Sequence, residues 1–365
     1  MIMTGSQIRV MIVDDSTVIR GMLGRIIDAE SDMRVVASAP NGRSAIDLLR
    51  HREVDVVLLD VEMPEMDGLT ALPQILAGNP QVRVLMASSL TQKGAQVTMS
   101  ALALGAADFI PKPSARGALG IDAISRELVG KVRALARRGG KSPLPAPSPV
   151  PAQERRSAPA AALPLGVGDH RGDTPRVVAI ASSTGGPNAL STLLRGISAG
   201  FSLPIVITQH MPASFTAALA ERLQRETGRP CREAASGEPV LPGHIYVAPG
   251  DFHLTVMTRE REPIFRLDQG PPENHCRPAA DPMMRSLASV YGGSVLAVVL
   301  TGMGEDGCRG VREVRARGGR VVAQDEASSV VWGMPGAVVH AGLADAVLPL
   351  DRIAAHIEAL CRTSS

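Results

Sequence analysis

One stretch near the middle of the chain limits most strongly what this protein can fold into. Residues 177–181 are apolar and rich in β-branched side chains, which is typical of a strand buried on both faces. The run ends in the turn 182–187, Ser-Ser-Thr-Gly-Gly-Pro, and residues 188–194 then have the pattern of a helix start. We therefore expect Ser183 at the C-terminal edge of a sheet, beside a helix N-terminus whose N–H groups stabilise an anion.

The chemistry of this turn has two interpretations. Ser183 is either a nucleophile with its own oxyanion site, or part of a glycine-rich turn that binds phosphate or simply reverses the chain. The G-x-S-x-G pattern of the α/β-hydrolase nucleophile elbow is absent, so this stretch alone does not decide between them.

The composition excludes several classes of protein. The 365 residues suffice for two domains, and a net charge of +2 with two Tyr and one Trp argues against a nucleic-acid partner. No C-x-x-C pair is present, which argues against a zinc site or a disulfide framework. With no secretory signal and no apolar run of membrane-spanning length, we expect a cytoplasmic protein without membrane insertion. The four cysteines are Cys231, Cys276, Cys308 and Cys361.

Residues 8 to about 136 alternate short apolar runs with helical patterns. This alternation predicts a doubly wound parallel sheet that gathers its ligands at the C-terminal strand ends. The predicted strands are 8–13, 35–38, 54–59, 82–87 and 107–110, and the predicted helices lie near 17–29, 42–51, 68–77, 93–104 and 121–136.

Charged and hydroxyl residues follow these predicted strands. Asp14 and Asp15 follow the first strand and Asp60 follows the third, and carboxylates brought together in this way favour a bound Mg²⁺. Ser88 ends the fourth strand and Lys112 follows the fifth, which completes a pocket suited to a phosphoryl group on Asp60.

These motifs resemble the receiver domain of two-component response regulators. The resemblance implies that a histidine kinase phosphorylates Asp60, that Ser88 and Phe109 form a switch pair, and that Lys112 contacts the phosphoryl group. It also implies that Asp15, Asp60 and the backbone carbonyl of Glu62 hold Mg²⁺, with Asp14 close by. One departure is Pro111, which stiffens the loop before Lys112. The matching pieces are residues 13–16, 59–68, 88–89 and 112–113.

A change of composition separates this receiver domain, placed at 6–136, from the rest of the chain. Residues 137–175 alternate Pro with Ala, Ser and Leu and lack periodicity, which predicts an extended linker. The linker is mildly basic, so a docking tail is the alternative to a solvated spacer.

The second domain, placed at 176–362, resumes the β/α alternation. Its predicted parallel strands are 177–181, 204–208, 295–300, 320–323 and one near 345–349. Between them, the short runs 244–248, 253–258 and 263–267 predict an antiparallel excursion, in which the last two pair as a hairpin.

Polar residues also follow two other predicted strands of the second domain, and with Ser183 they make three such residues. His210 follows the strand at 204–208, and Asp306 lies in a glycine-rich turn after the strand at 295–300. A histidine can accept the serine proton, and a buried aspartate can orient the imidazole. Singly, His210 is more often a satisfied polar residue and Asp306 a helix cap; together with Ser183 they predict a catalytic triad.

The motifs of the second domain resemble the chemotaxis protein-glutamate methylesterase family, CheB. The resemblance implies Ser183 as nucleophile, His210 as base and Asp306 as orienting residue, with the N–H groups of Thr184 and Met303 as oxyanion donors. The matching pieces are residues 179–186, 209–212, 277–281, 300–307, 332–335 and 347–350.

The same resemblance implies the reaction and its partners. Members of the family hydrolyse glutamate methyl esters on methyl-accepting chemoreceptors, release methanol, and deamidate certain receptor glutamines. No metal is implied for the ester step; the Mg²⁺ belongs to the receiver. Cys276 and Ala279 stand where the family often has His and Ser. The alternative is a receiver with a DNA-binding or purely binding output, although no helix-turn-helix or basic face is evident.

Overall fold

The computed structural model describes residues 7–112, 121–136 and 173–361, with the side chains of the 121–136 helix described from residue 124 onward. The predicted linker at 137–175 therefore lies outside the described residues, except for its last three. Within the described residues, no helix has the length and apolar character needed to cross a membrane.

The N-terminal part forms a parallel sheet in the order β2-β1-β3-β4-β5, which is flavodoxin-like. Apolar clusters fill both faces of the sheet, one beneath α2, α3 and α4 and one beneath α1 and α5, so the doubly wound prediction is confirmed. The strands are β1 (Ile8–Val13), β2 (Met33–Ala39), β3 (Val56–Asp60), β4 (Arg83–Ser88) and β5 (Asp108–Pro111). The helices are α1 (Thr17–Asp28), α2 (Gly42–Leu49), α3 (Gly68–Gly78), α4 (Gln92–Ala103) and α5 (Ile121–Ala136).

Local sequence sets the start of four of these helices. The side chains of Ser16, Asn41, Asp67 and Thr91 each accept a hydrogen bond from a backbone N–H in the first turn of the helix that follows. Such caps satisfy N–H groups that have no partner inside the helix. They fix where each helix leaves the functional edge of the sheet.

The C-terminal part contains a second parallel sheet in the order β14-β13-β12-β6-β7-β9-β8 and a separate hairpin, β10-β11. Helices α6, α7 and α11 pack on one face of the sheet, and α8, α9 and α10 pack on the other. The strands are β6 (Val177–Ser182), β7 (Ile205–Gln209), β8 (Cys231–Glu233), β9 (Ile245–Val247), β10 (His253–Arg259), β11 (Glu262–Asp268), β12 (Val295–Val299), β13 (Arg320–Gln324) and β14 (Ala346–Leu348). The helices are α6 (Gly186–Gly196), α7 (Ala213–Thr227), α8 (Ala280–Tyr291), α9 (Cys308–Ala316), α10 (Met334–His340) and α11 (Leu350–Cys361).

The predicted hairpin is confirmed, but the prediction of an antiparallel arrangement was wrong for the first of its three runs. The run at 244–248 contributes β9, which pairs in parallel with β7 and β8 in the main sheet. The strand is only three residues long and fully buried, so its sequence carries no periodicity that reveals the direction of pairing. Strand β8, at the sheet edge, was not predicted.

Candidate active site

The turn that carries Ser183 depends on the lack of side chains at two glycines. Gly185 has a φ of 77°, and a Cβ there would lie 2.6 Å from the Cβ of Val330. A Cβ on Gly186 would collide with the amide of Gln209. The Ser183 N–H donates to the carbonyl of Thr301 (3.0 Å), which fixes the turn against the loop after β12. The glycines therefore allow β6 to pass directly into α6 with Ser183 between them.

A buried amide joins this turn to the neighbouring loop. The Oγ of Ser182 donates to Oε1 of Gln209 (2.7 Å), and Nε2 of Gln209 donates to the carbonyl of Ser183 (2.8 Å). Gln209 is 2% exposed and directly precedes His210. Sequence reasoning quoted Gln209 only as part of a motif and missed this bridge; a polar residue at the end of a buried, mostly apolar strand was the available signal.

His210 and Asp306 form a close pair. Nε2 of His210 lies 2.7 Å from Oδ2 of Asp306, whose side chain is almost fully buried. The two residues follow β7 and β12, the strands on either side of β6, so the structure brings the predicted triad residues to adjacent strand ends. Among the described residues, Ser183 Oγ makes no hydrogen bond to His210. Because Asp306 faces Nε2, Nδ1 is the ring nitrogen that would accept a proton from Ser183, and in this structure Nδ1 faces the Sγ of Cys276.

Cys276 lies on the other side of the imidazole. Its Sγ is 3.4 Å from Nδ1 of His210. Burial alone would lower the pKa of His210, but the adjacent Cys276 and Asp306 raise it to about 10. Sequence reasoning noted Cys276 only as a departure from the family and could not place it beside the base, because the two residues are far apart in the chain.

The electrostatics of Asp306 suit an orienting carboxylate. Burial alone would raise its pKa, but hydrogen bonds from His210 and from the N–H groups of Ala280 and Asp281 lower it to about 2. Asp306 is therefore ionised at neutral pH and can stabilise a positive charge on the imidazole.

Two backbone N–H groups beside Ser183 are available to an anion. In the part of the chain that the structure describes, no hydrogen bond uses the N–H of Thr184 or of Met303. Both residues lie in loops at the same sheet edge, since the Cβ of Ser183 would be 2.9 Å from a Cβ placed on Gly302. The N-terminus of α6 adds the positive end of a helix dipole there.

The N-terminal domain has a second site at its own sheet edge. Carboxylate oxygens of Asp14, Asp15 and Asp60 lie within 4.8 Å of one another. Nζ of Lys112 is 2.6 Å from Asp60 and 2.9 Å from Asp14. Burial raises the pKa of Asp60 to about 6, although Lys112 opposes this shift. Three oxygen donors at this spacing fit the ligand preference of Mg²⁺.

Ser88 and Phe109, the predicted switch pair, contact different parts of the structure. Ser88 Oγ donates to the carbonyl of Gly94 (3.2 Å) in α4. The ring of Phe109 is 97% buried and stacks on Phe215 of α7 with 4.3 Å between centroids and 9° between planes. The end of β5 next to Lys112 is thus in contact with α7, a helix that begins three residues after His210.

Other contacts extend this interface between the domains. Asn188 of α6 donates to the carbonyl of Leu102 (2.8 Å), and Arg222 of α7 donates to the carbonyl of Met99 (3.4 Å). A Cβ on Gly130 of α5 would lie 3.0 Å from the thioether of Met303. The N-terminal domain therefore packs against α6, α7 and the Met303 loop, beside the sheet edge that carries Ser183.

Comparisons with known proteins agree with both resemblances. Residues 178–357 match the family model described as CheB methylesterase, and residues 10–122 match the response regulator receiver domain model. A protein-glutamate methylesterase/protein-glutamine glutaminase of Azospirillum brasilense is 52% identical over 97% of this chain and 92% of its own length. A protein of the same description from Caulobacter vibrioides is 49% identical over 97% of this chain and 99% of its own length.

A solved structure matches the C-terminal part. The crystal structure of the Thermotoga maritima CheB methylesterase catalytic domain is 42% identical in sequence and covers 51% of this chain and 98% of its own, with a TM-score of 0.50. The match concerns the part of the chain in which Ser183, His210 and Asp306 meet.

Proposed function

The chain belongs to the CheB methylesterase family and begins with a response regulator receiver domain, and we propose that it hydrolyses glutamate methyl esters on chemoreceptors when Asp60 is phosphorylated. The relatives of 49–52% identity are named protein-glutamate methylesterase/protein-glutamine glutaminase. We extend both activities to this chain, acting in the cytoplasm in a chemosensory pathway. The observation that carries the proposal is the His210–Asp306 pair at 2.7 Å, next to the turn that presents Ser183.

The proposed mechanism uses covalent catalysis. Ser183 Oγ attacks the ester carbonyl while His210 Nδ1 accepts its proton, and His210 then returns that proton to the departing methoxide as methanol. The N–H groups of Thr184 and Met303 stabilise the oxyanion. Water, deprotonated by His210, attacks the acyl-enzyme and releases the glutamate carboxylate and free Ser183. A glutamine substrate follows the same route and releases ammonia.

The receiver supplies the control. Asp15, Asp60 and the Glu62 carbonyl would hold Mg²⁺, with Asp14 close by, and the ion compensates phosphoryl charge when bound. Asp60 accepts the phosphoryl group from a histidine kinase, and Lys112 moves from Asp60 and Asp14 to the new phosphoryl oxygens.

The interface supports inhibition by docking. Helix α5 packs beside Met303, and Phe109 packs on Phe215. In this proposal the docked receiver restricts the approach of a bulky receptor helix to Ser183. Phosphorylation that moves Ser88 and Phe109 then favours the open form, because a signal needs a contact that differs between the two states. A purely binding output would not need the assembled His–Asp pair.

Replacement of the nucleophile tests the proposal. In the phosphorylated chain, Ser183→Ala should lower methanol release from methylated receptor membranes by about 10³-fold or more, because triad members act as a unit. Ser191→Ala, buried in α6, the helix that follows the Ser183 turn, is the matched control and should remain near wild type. A fluorophosphonate should label wild type and the control but not Ser183→Ala. Near wild-type hydrolysis by Ser183→Ala would remove Ser183 from the mechanism.

A further inference from the structure

Asp306 has a second buried carboxylate as its neighbour. Asp281, at the start of α8, is 0% exposed and Asp306 is 1% exposed. The side-chain amide of Asn274 contacts both: Nδ2 is 2.7 Å from Oδ1 of Asp306 and 3.0 Å from Oδ2 of Asp281. One amide group therefore bridges two buried acids next to the histidine base.

The hydrogen bonds of Asp306 divide between its two oxygens. Oδ2 accepts from His210 (2.7 Å) and from the Ala280 N–H (2.6 Å). Oδ1 accepts from Asn274 and, at 3.2 Å, from the Asp281 N–H. The terminal torsion of an aspartate is broad, so these partners decide which oxygen faces the imidazole. Asn274 makes the shorter of the two bonds to the oxygen that His210 does not use.

Two adjacent carboxylates in a buried site repel each other. Burial and the charge of Asp306 raise the pKa of Asp281. The second hydrogen-bonding partner of Asp281 is the Gly310 N–H, which donates to Oδ1 at 2.6 Å. The Asn274 amide supplies donor capacity at the place where the two acids face each other, without adding a charge.

The loop that carries Asn274 is held in an unusual conformation. Asn274 and His275 have φ values of 51° and 63°, in the left-handed region that asparagine tolerates better than most residues. Glu273 and Cys276 exchange backbone hydrogen bonds of 3.2 and 2.9 Å around this turn. Glu273 also pairs with Arg285 of α8 at 2.6 Å. The turn is thereby fastened to α8 with the amide of Asn274 directed at the two carboxylates.

We propose that Asn274 is a positioning residue for the ester hydrolysis: its amide holds Asp306 with Oδ2 toward His210 and relieves the repulsion between Asp306 and Asp281. This rests on the proposed assignment of Ser183, His210 and Asp306 as the triad. Asn274 touches no reacting atom; it acts through Asp306.

The test is steady-state hydrolysis of receptor methyl esters by the phosphorylated full chain. Asn274→Ala should lower kcat by about 10- to 100-fold with KM nearly unchanged, since misplacing a catalytic group costs rate rather than binding. His275→Ala is the matched control, because it lies on the same exposed turn, also has a positive φ, and has no hydrogen bond to Asp306 among the described residues. Its kcat should stay within threefold of wild type.

A double substitution separates positioning from a general structural role. Asp281→Asn removes one of the two charges, so adding Asn274→Ala to it should cost at least threefold less in kcat than in the wild-type background. If Asn274→Ala does not fold, as judged by its thermal unfolding curve, Asn274→Ser, which keeps one donor, takes its place with the same comparison. Equal kcat for Asn274→Ala and His275→Ala, or purely additive losses in the double variant, would overturn the proposal. Undiminished hydrolysis by Ser183→Ala would instead place the failure in the triad assignment.

Discussion

The aromatic contact between the domains allows a direct test of the proposed inhibition by docking. Phe109 and Phe215 stack at 4.3 Å, and both are almost fully buried. Phe215→Leu keeps an apolar side chain at the position but removes the ring. An aromatic pair contributes about 0.5–1.5 kcal/mol beyond the area it buries, so the docked form should lose roughly that amount of free energy relative to the open form.

The expected change in rate follows from this free energy. A difference of 1.4 kcal/mol corresponds to a factor of ten, so the open:closed ratio should rise by about 2- to 13-fold. If the unphosphorylated chain is mostly closed, its methanol release from receptor membranes should rise by the same factor. The phosphorylated chain, already open, should change much less.

Phe265→Leu is the matched control for this experiment. Phe265 is 0% exposed in the same domain and lies 4.6 Å from the ring of Tyr246, away from the receiver. It should leave the ratio of phosphorylated to unphosphorylated rates unchanged. A fragment beginning near Thr174 should exceed the unphosphorylated full chain in rate, and Phe215→Leu should not accelerate it further. If Phe215→Leu raised the unphosphorylated rate no more than Phe265→Leu, the ring contact would not hold the closed form.

Two further predictions concern the two charged sites. Because His210 must be neutral to accept the Ser183 proton and its pKa is raised to about 10, kcat/KM should increase with pH through a midpoint above the unperturbed histidine value of about 6.5. Cys276→Ala removes a contact at 3.4 Å that raises this pKa, so the midpoint should move to lower pH; an unchanged pH profile would show that Cys276 does not influence the base. In the receiver, Asp60→Asn should abolish phosphorylation by acetyl phosphate and Mg²⁺, measured by mass spectrometry. Incorporation that survives the substitution would place the acceptor elsewhere.

Much of the fold and of the candidate site could be predicted because the signals are local. The strands of the parallel sheets, apart from the short edge strand β8, contain short apolar runs, and polar residues such as Asp60, Ser183 and His210 lie at the ends of these strands. The C-terminal ends of parallel strands meet at one sheet edge, so neighbours in the strand order become neighbours in space. The turn at Gly185-Gly186 could be predicted for the same reason, because a pair of glycines after an apolar run is itself a local turn signal.

Other features have no local signal. The direction of β9 depends on its partners β7 and β8, because a three-residue buried strand has the same composition in either direction. The roles of Asn274 and Cys276 depend on a loop that returns to Asp306 and His210 from a distant part of the chain. No spacing in the sequence predicts that this loop lies next to Asp306 and His210.

The sequence by itself determined the two parallel-sheet units, the strand ends at which the candidate site residues lie, and the family. Only the tertiary structure decided how the units meet: Phe109 on Phe215, α5 beside Met303, and Asn274 between two buried carboxylates. The physical reason is that periodicity and turn chemistry are encoded within a few residues. The packing of one surface on another, and the repulsion between charges brought together by folding, depend on distances that exist only in the folded chain.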